Sequence, residues 1–361
     1  MAVAYVLEQN TFIRMEGERF LVQRKKDVLH TIHIFKLDQL VLFGSVSLTP
    51  PVIKRLLKEG IDTVFMSRNG RYLGRLQSPF SKNITLRCKQ YEKMSDPVFS
   101  TKMAKAIVGG KLANMRTVLM RINRNRKEAR LDDNILGIKK IAEKVPAADD
   151  LDAVRGYEGK ASAVYFEGFS RGFLAEGVTF KKRIRRPPTD PVNALLSLGY
   201  TLLFNSVMGA VSLVGFDPYL GALHSVDYGR PSLALDLMEE WRPLIVDTLV
   251  LSVFNMKTLT LDDFEKGNTT DDVDIHDVVN EKDDSNTNEG NDQEGSSLPI
   301  KLTNSGFRKF ILQFERKMSQ KVKHHITGQQ LSYRDCIREQ IRQYARVIRD
   351  EEDRYQPITS R

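Results

Sequence analysis

A histidine and several carboxylates lie close together in the stretch from Gly215 to Leu244. Asp236 and Glu239 are three residues apart in a segment predicted to be helical, so both carboxylates share a face and could bind one cation. His224 lies just upstream and could fold back onto the same point. Asp236 also interrupts an apolar run, where a carboxylate is costly unless it is paired or metal-bound. Residue chemistry therefore leaves two interpretations open: a metal site, or surface carboxylates near an ordinary hydrogen-bonded histidine.

A further carboxylate, Glu158, lies among small and aromatic residues in a segment predicted to be helical from Leu151 to Phe169. Arg155 and Lys160 flank it. One interpretation is a salt-bridged helix start, the commonest fate of such a cluster. The other is a third metal ligand accompanied by basic residues that meet phosphate.

Two types of periodicity divide the chain. From Ala2 to about Leu86, short segments rich in β-forming residues alternate with turns and one short helix. After Pro97, apolar residues recur at three- and four-residue steps, which is typical of helices. The sequence therefore predicts an α+β fold, with a β-rich N-terminal domain at 1–90 and a larger all-α C-terminal domain at 91–361.

The stretch from Asn193 to Phe216 has no charged residue and is long enough to cross a bilayer. It contains several polar residues that would need partners in lipid, so a helix buried in a helical domain is favoured and no membrane association is expected. Cys88 and Cys336 are too few for a disulfide framework. Because the N-terminus also lacks a secretory pattern, we expect a cytoplasmic protein.

Charge is unevenly distributed. The chain carries a formal net charge of +9. The segment from Asp262 to Ser297 contains thirteen acidic residues and two lysines, a charge of −11, so the remainder carries +20. A basic remainder suits a polyanionic partner such as DNA. The acidic segment lacks the apolar surface needed to fold, and we expect a disordered insertion that is either inert or shields a basic DNA groove.

Three motifs resemble those of a known family: RGYEGKASAVYF, GFDPYLGALH and RPSLALDLMEEWRP. Together they closely resemble the CRISPR-associated integrase family, the "Cas one" subunit of the spacer-acquisition machinery. The resemblance implies that Glu158, His224 and Asp236 bind a divalent cation, Mg²⁺ or Mn²⁺, and form the catalytic site. Glu239 occupies the neighbouring acidic position, as a supporting residue or a second acidic ligand.

The resemblance also implies an activity and an assembly. The expected reaction joins prespacer 3′-hydroxyl ends to CRISPR repeat DNA by phosphodiester transesterification, and water in place of the hydroxyl would make the same site an endonuclease. The expected assembly is a homodimer, formed through the N-terminal domain, that joins the smaller "Cas two" protein in a heterohexamer on double-stranded DNA.

Basic residues near the motifs are candidate phosphate contacts, although each could also be an ordinary exposed charge. They are Arg155, Lys160, Lys181, Lys182, Arg183, Arg185, Arg186 and Arg242. Two alternative functions remain open. A non-catalytic DNA-binding scaffold would use the basic surface alone, and a stand-alone metal-dependent nuclease would cut DNA without joining it.

Overall fold

The chain divides into two compact units, 1–82 and 83–361. The computed structural model describes residues 2–76, 83–184, 187–225, 227–267 and 298–360. The first unit is built mainly of strands and the second mainly of helices, which confirms the predicted α+β class. The division falls eight residues before the predicted boundary at 90, because the helix that begins at Ile84 belongs to the second unit.

Within its described residues, the first unit contains eight strands and one α-helix. They are β1 (Ala2–Val6), β2 (Thr11–Glu16), β3 (Arg19–Arg24), β4 (Asp27–His33), β5 (Leu37–Phe43), β6 (Val46–Leu48), α1 (Pro50–Glu59), β7 (Asp62–Met66) and β8 (Tyr72–Leu76). The strands form two four-stranded sheets, β1-β5-β7-β8 and β4-β3-β2-β6. Apolar residues of β2, β3, β5 and α1 share one buried core.

Local signals in the sequence set the ends of these elements. Pro50 starts α1, where its fixed φ angle suits the first helical turn. Gly60 ends α1 in the left-handed region at φ 66°, which favours glycine because a side chain there would be strained. The dipeptide Asn69-Gly70, which is typical of tight hairpin turns, lies between β7 and β8, and these two strands are paired antiparallel.

The second unit contains nine helices and four short strands within its described residues. They are α2 (Ile84–Met94), α3 (Pro97–Asn125), α4 (Asp132–Ala142), α5 (Leu151–Ser170), α6 (Pro191–Val214), α7 (Ser232–Met238), α8 (Thr248–Asn255), β9 (Phe264–Lys266), β10 (Ile300–Leu302), α9 (Asn304–Ser319), β11 (Lys321–Lys323), β12 (Gln330–Ser332) and α10 (Tyr333–Ile348). The strands form two two-stranded sheets, β9-β10 and β11-β12. Both sheets are antiparallel.

In the described part of the chain, α6 alone is long and apolar enough to span a membrane. Most of its residues are buried inside the second unit, including apolar residues on all of its faces. Its polar Asn193 accepts hydrogen bonds from the Arg183 side chain and the Ile184 backbone amide. The expectation of a buried core helix is confirmed.

The sequence from Leu233 to Asn255 has a helical pattern throughout, but the structure interrupts the helix. After α7 the chain forms a π-helix at Arg242–Asp247 before α8 begins. Pro243 lacks an N–H group, so the regular hydrogen-bond ladder cannot pass through it. The extra residue of the π-turn changes which side chains face inward.

The prediction of a disordered insertion at 262–297 was wrong for its first six residues. Asp263 is buried and accepts two hydrogen bonds from the Lys309 ammonium, at 2.8 and 3.0 Å. The following residues form β9, which pairs with β10. An ion pair and a strand ladder therefore anchor this part of the segment. The rest of the predicted insertion, 268–297, lies outside the described residues.

Candidate active site

The Lys111 ammonium on α3 lies between two carboxylates. It contacts Oε1 of Glu158, on α5, and Oε2 of Glu239, just after α7. Lys111 and Glu239 are buried, at 5% and 1% exposure. Glu158 also accepts a hydrogen bond from the Ser162 hydroxyl, 2.8 Å away and one helical turn later. Three helical segments that are distant in sequence therefore converge on one cationic group.

Glu239 is neutralised on both sides. Its Oε1 lies 3.0 Å from Nη1 of Arg242, which is the first residue of the π-helix. The Arg242 guanidinium is itself buried and lies over the Tyr200 ring, 5.0 Å from the ring centroid. A buried carboxylate requires such compensation, because an isolated charge in the protein interior is costly. Glu239 is thus held by two cations from opposite directions.

Asp236 makes a different set of contacts. Its Oδ2 accepts hydrogen bonds from the amides of Ala222 and Leu223, at 2.5 and 2.9 Å. Its Oδ1 lies 2.9 Å from the His224 amide nitrogen and 2.5 Å from the imidazole Nδ1. Both oxygens therefore hold the 222–224 loop and its histidine ring. A proton on Nδ1, donated to Asp236, leaves the lone pair of the imidazole on Nε2.

The loop before His224 approaches α7 closely. A side chain at Gly221 would meet the Leu233 amide nitrogen at 2.8 Å and the carboxylate of Asp236. Arg155 ties the same loop to α5, because its Nε donates to the Leu223 carbonyl at 2.8 Å. Arg155 lies three residues before Glu158, so the helix that carries Glu158 is fastened to the loop that carries His224.

The structure places Glu239 and the three residues of the predicted triad in two pairs. Glu158 is joined to Glu239 through Lys111, and His224 is joined to Asp236. Within the described part of the chain, no three His, Cys, Asp or Glu side chains are placed together as a metal site. The donor types nevertheless suit a hard divalent cation, since two carboxylates already share one positive group and the imidazole of His224 is oriented by Asp236.

Comparison with known proteins identifies the family. The family model described as "CRISPR associated protein Cas1" matches residues 4–279. The chain belongs to the Cas1 family. The resemblance given by the three motifs is thereby confirmed. The "CRISPR-associated endonuclease Cas1 3" of Thermus thermophilus is 33% identical over 363 residues, which cover 100% of this chain and 98% of that protein.

Solved structures show the same fold. A casposase bound to integration product superposes with a TM-score of 0.82 at 21% identity, over 100% of this chain and 95% of that one. A chain of a Cas6-RT-Cas1–Cas2 complex superposes with a TM-score of 0.78 at 24% identity, over 99% of this chain and 36% of that one. At these identities the likeness concerns the fold.

Behind Glu239, this Cas1-family chain buries a further carboxylate. Asp247, the last residue of the π-helix, accepts hydrogen bonds from the hydroxyls of Tyr165 at 2.8 Å and Tyr200 at 2.6 Å. Burial raises the pKa of Asp247 to about 6, against the lowering effect of the two hydroxyls and of Arg242. Since Tyr200 also stacks on Arg242, this buried group supports the arginine that holds Glu239.

Two of the predicted phosphate contacts, the buried Arg242 and the half-buried Arg183, make several contacts within the second unit. Arg242 pairs with Glu239, as described above. Arg183 donates to the Asn193 side chain at 2.8 Å and to the Ser197 hydroxyl at 3.0 Å. It also stacks on Tyr200 at 5.5 Å. These contacts fasten the segment around Arg183 to α6, so both guanidinium groups have a structural role in the chain.

The other basic candidates differ in their surroundings. Arg155 is half-buried and binds the 222–224 loop and Asp152. Three lysines are exposed, namely Lys160, Lys181 and Lys182. Arg185 and Arg186 lie outside the described residues. The exposed lysines therefore stay candidates for phosphate contacts, whereas Arg155 has a positioning role in the structure.

The sequence did not single out Lys111 as a site residue. In the sequence, Lys111 is one of several basic residues along α3. The structure, however, buries it beside Glu158 and Glu239. A signal was present, because Lys111 interrupts the apolar run between Ile107 and Leu112 just as Asp236 interrupts that of α7. A buried lysine of this kind needs a carboxylate partner.

Proposed function

We propose that this chain is a DNA endonuclease and integrase of CRISPR adaptation, and that it works with a divalent cation at Glu158, His224 and Asp236, with Glu239 as a neighbouring acidic ligand. The main support is the position of the Lys111 ammonium, which marks the point where the carboxylates of Glu158 and Glu239 meet. The activity is supported by the Thermus relative, which carries the name endonuclease and matches this chain over its full length.

This proposal keeps the three ligands that the motifs implied and adds Glu239. Both oxygens of Asp236 accept hydrogen bonds from the 222–224 loop and its imidazole. Asp236 would therefore also orient His224, in the way that carboxylates beside metal-bound histidines usually do. Glu239, whose contacts in the structure are with cations, would be the neighbouring acidic ligand. Mg²⁺ or Mn²⁺ suits a set of carboxylates and one imidazole.

Different residues of the chain would have different roles in strand transfer. A bound cation would act as a Lewis acid on the scissile phosphate. Asp236 keeps the His224 ring in one orientation and one tautomer, and Arg155 holds the loop against α5. Arg242 and Lys111 fix Glu239 from two sides, so the carboxylate needs little reorganisation when substrate binds. The incoming 3′-hydroxyl of a DNA end would displace the leaving 3′-hydroxyl of the repeat strand.

The proposed partners are double-stranded DNA, a second copy of this chain, and Cas2 in a heterohexamer. The chain of the Cas6-RT-Cas1–Cas2 complex shares the fold of this chain, and the casposase with that fold is bound to an integration product. The exposed lysines at 160, 181 and 182 would bind DNA phosphates. Such contacts position DNA without reading its sequence.

A strand-transfer assay tests this function. A prespacer duplex, a plasmid bearing the repeat and the small partner protein are incubated with Mn²⁺, and covalently joined product is measured. We expect joined product from the wild type and none from Glu239→Gln. Asp236→Asn should also lose joining and cutting while DNA binding is largely retained, because it removes both a cation ligand and the group that orients His224.

The same assay separates the alternatives. Cleaved plasmid without joined product would indicate a stand-alone nuclease. Equal joining by the wild type and Glu239→Gln would refute the proposed cation site. DNA binding without cleavage or joining by the wild type would indicate a non-catalytic scaffold. Lys105→Met serves as a control, since Lys105 is on α3 and donates to the Pro146 carbonyl, away from the site.

A further inference from the structure

An extended segment at 354–360 packs against α3 and α10 much as a bound peptide would. Its Tyr355 and Ile358 side chains are buried, at 4% exposure each. Pro357 lies against Gly110 of α3 so closely that a side chain there would meet the proline Cγ at 2.7 Å. Glycine at this position therefore allows the segment to pass directly over the helix.

Side chains of the second unit bind the backbone of this segment. Asn114 of α3 donates to the Ile358 carbonyl at 2.8 Å and accepts from the Ser360 amide at 3.0 Å. Gln340 of α10 and the ring of His325 both contact the Gln356 carbonyl, at 3.0 and 3.2 Å. Side chains thus replace the neighbouring strand to which an extended chain would normally bond.

Glu240, which directly follows the site residue Glu239, also binds the segment. Glu240 is 1% exposed. Its Oε1 accepts from the Tyr355 hydroxyl at 2.7 Å, and its Oε2 accepts from the Ile358 amide at 2.7 Å. Its carbonyl also accepts from Asn114 at 2.8 Å. The segment therefore bridges α3 and the turn that carries Glu239.

Asn114 and Glu240, which hold the segment, lie next to the ion pairs that Lys111 forms with Glu158 and Glu239. Asn114 is three residues after Lys111 and so projects from the same side of α3. Glu240 is adjacent to Glu239. Anything that moves α3 relative to residues 239–240 changes the distance between the Lys111 ammonium and the Glu239 carboxylate. The segment fixes that separation from one helical turn away.

We infer that segment 354–360 is an intramolecular peptide ligand that positions Glu239 against Lys111, and that its groove binds the same peptide in trans. The groove is lined by Gly110, Asn114, Glu240 and Gln340. The effect on cation affinity rests on the proposed function, whereas peptide binding and the placement of residues 239–240 do not.

The experiment uses a variant truncated after Asp353 and a synthetic peptide, RYQPITS. Trp241 is the single tryptophan, is buried at 1% exposure and follows Glu240 directly, so its fluorescence reports on this turn. We expect truncation to shift its emission to longer wavelength and to weaken Mn²⁺ binding roughly 10-fold, the scale of loss when a supporting partner is removed. Peptide at about 1 mM, comparable to a tethered segment, should restore both.

Matched controls isolate the contacts. A peptide with the Ile358→Pro change lacks the amide donated to Glu240 and should fail to rescue. In the full chain, Tyr355→Phe should weaken Mn²⁺ binding several-fold, on the scale of one buried hydrogen bond. Tyr344→Phe should have no effect, since the buried Tyr344 hydroxyl has no hydrogen-bond partner among the described residues.

Several results would overturn the inference. One is a folded truncated variant, judged by circular dichroism, with wild-type emission and Mn²⁺ affinity. Another is equal rescue by the native and proline peptides. If truncation prevents folding, identical behaviour of Tyr355→Phe and Tyr344→Phe would refute it. A wild type that binds no Mn²⁺ would contradict the proposed function alone, and the emission and peptide measurements would still test the segment.

Discussion

Replacing Lys111 with methionine removes the ammonium between Glu158 and Glu239 while keeping the length of the side chain. Removing one partner of a buried ion pair typically costs about 3–5 kcal/mol, because the remaining charge is left uncompensated. Glu239 keeps Arg242 at 3.0 Å, and Glu158 has a side chain that is 17% exposed. We therefore expect a loss near the lower limit, about 3 kcal/mol, without divalent cation.

Mn²⁺ should reverse this loss. A cation held by the same two carboxylates would replace the missing ammonium, and a ligand at 100 times its Kd stabilises the folded state by about 2.7 kcal/mol. In the wild type the same cation must compete with Lys111, so its stabilising effect should be smaller. The structure thus predicts that Lys111→Met makes the stability of the second unit strongly dependent on Mn²⁺.

Thermal unfolding followed by Trp241 fluorescence measures this effect, because the single tryptophan reports on the second unit alone. At about 2 °C per kcal/mol for a unit of this size, the variant should melt roughly 6 °C below the wild type without Mn²⁺ and close to it with Mn²⁺. Lys105→Met should show neither change. A loss that is equal with and without Mn²⁺ would refute the idea that Glu158 and Glu239 form the cation site.

Three further predictions follow from the same structure. Burial raises the pKa of Glu240 to about 8 from its usual 4.5, so its stabilising proton is lost as pH rises through 8. Urea unfolding at pH 5 and pH 9 should therefore show Glu240→Gln gaining up to about 4 kcal/mol on the wild type at the higher pH, whereas a pH-independent difference would contradict this. Gly221→Ala should reduce strand transfer at least 10-fold, the scale expected when an orienting partner is displaced, because the added methyl group meets Asp236 and the Leu233 amide; wild-type transfer would show that the loop can adapt. Deleting residues 268–295 should tighten DNA binding at low salt, as measured by fluorescence anisotropy, if the acidic segment shields a basic groove. Unchanged affinity would leave the inert-loop interpretation.

The sequence was most informative about elements with strong periodicity. The change from β-type to helical patterns predicted the α+β class, and the uncharged run in α6 predicted a buried core helix. It was less informative where one residue overrides a pattern. Pro243 converts part of a predicted helix into a π-helix, because the missing N–H group breaks the hydrogen-bond ladder.

In the candidate active site, too, the sequence predicted some features, whereas others became visible only in the folded structure. An apolar context correctly marked Asp236 as a carboxylate in need of partners, and the structure provides four contacts to it. Sequence spacing could not distinguish its role from that of Glu239, because both lie on the same side of one short helix. The distinction depends on Lys111 and Arg242, which come from α3 and the π-helix and reach Glu239 only in the folded chain.

Lys111 also determines whether folding of this protein depends on a metal ion. Small zinc domains gain their folding free energy from the ion itself and remain unfolded without it. Here the counter-charge for Glu158 and Glu239 is a side chain of the same polypeptide. Neutralisation of both carboxylates therefore comes with folding itself. Under the proposed function, a newly synthesised chain would not need a divalent cation to neutralise these carboxylates, and the acquisition of metal would be a separate, later step.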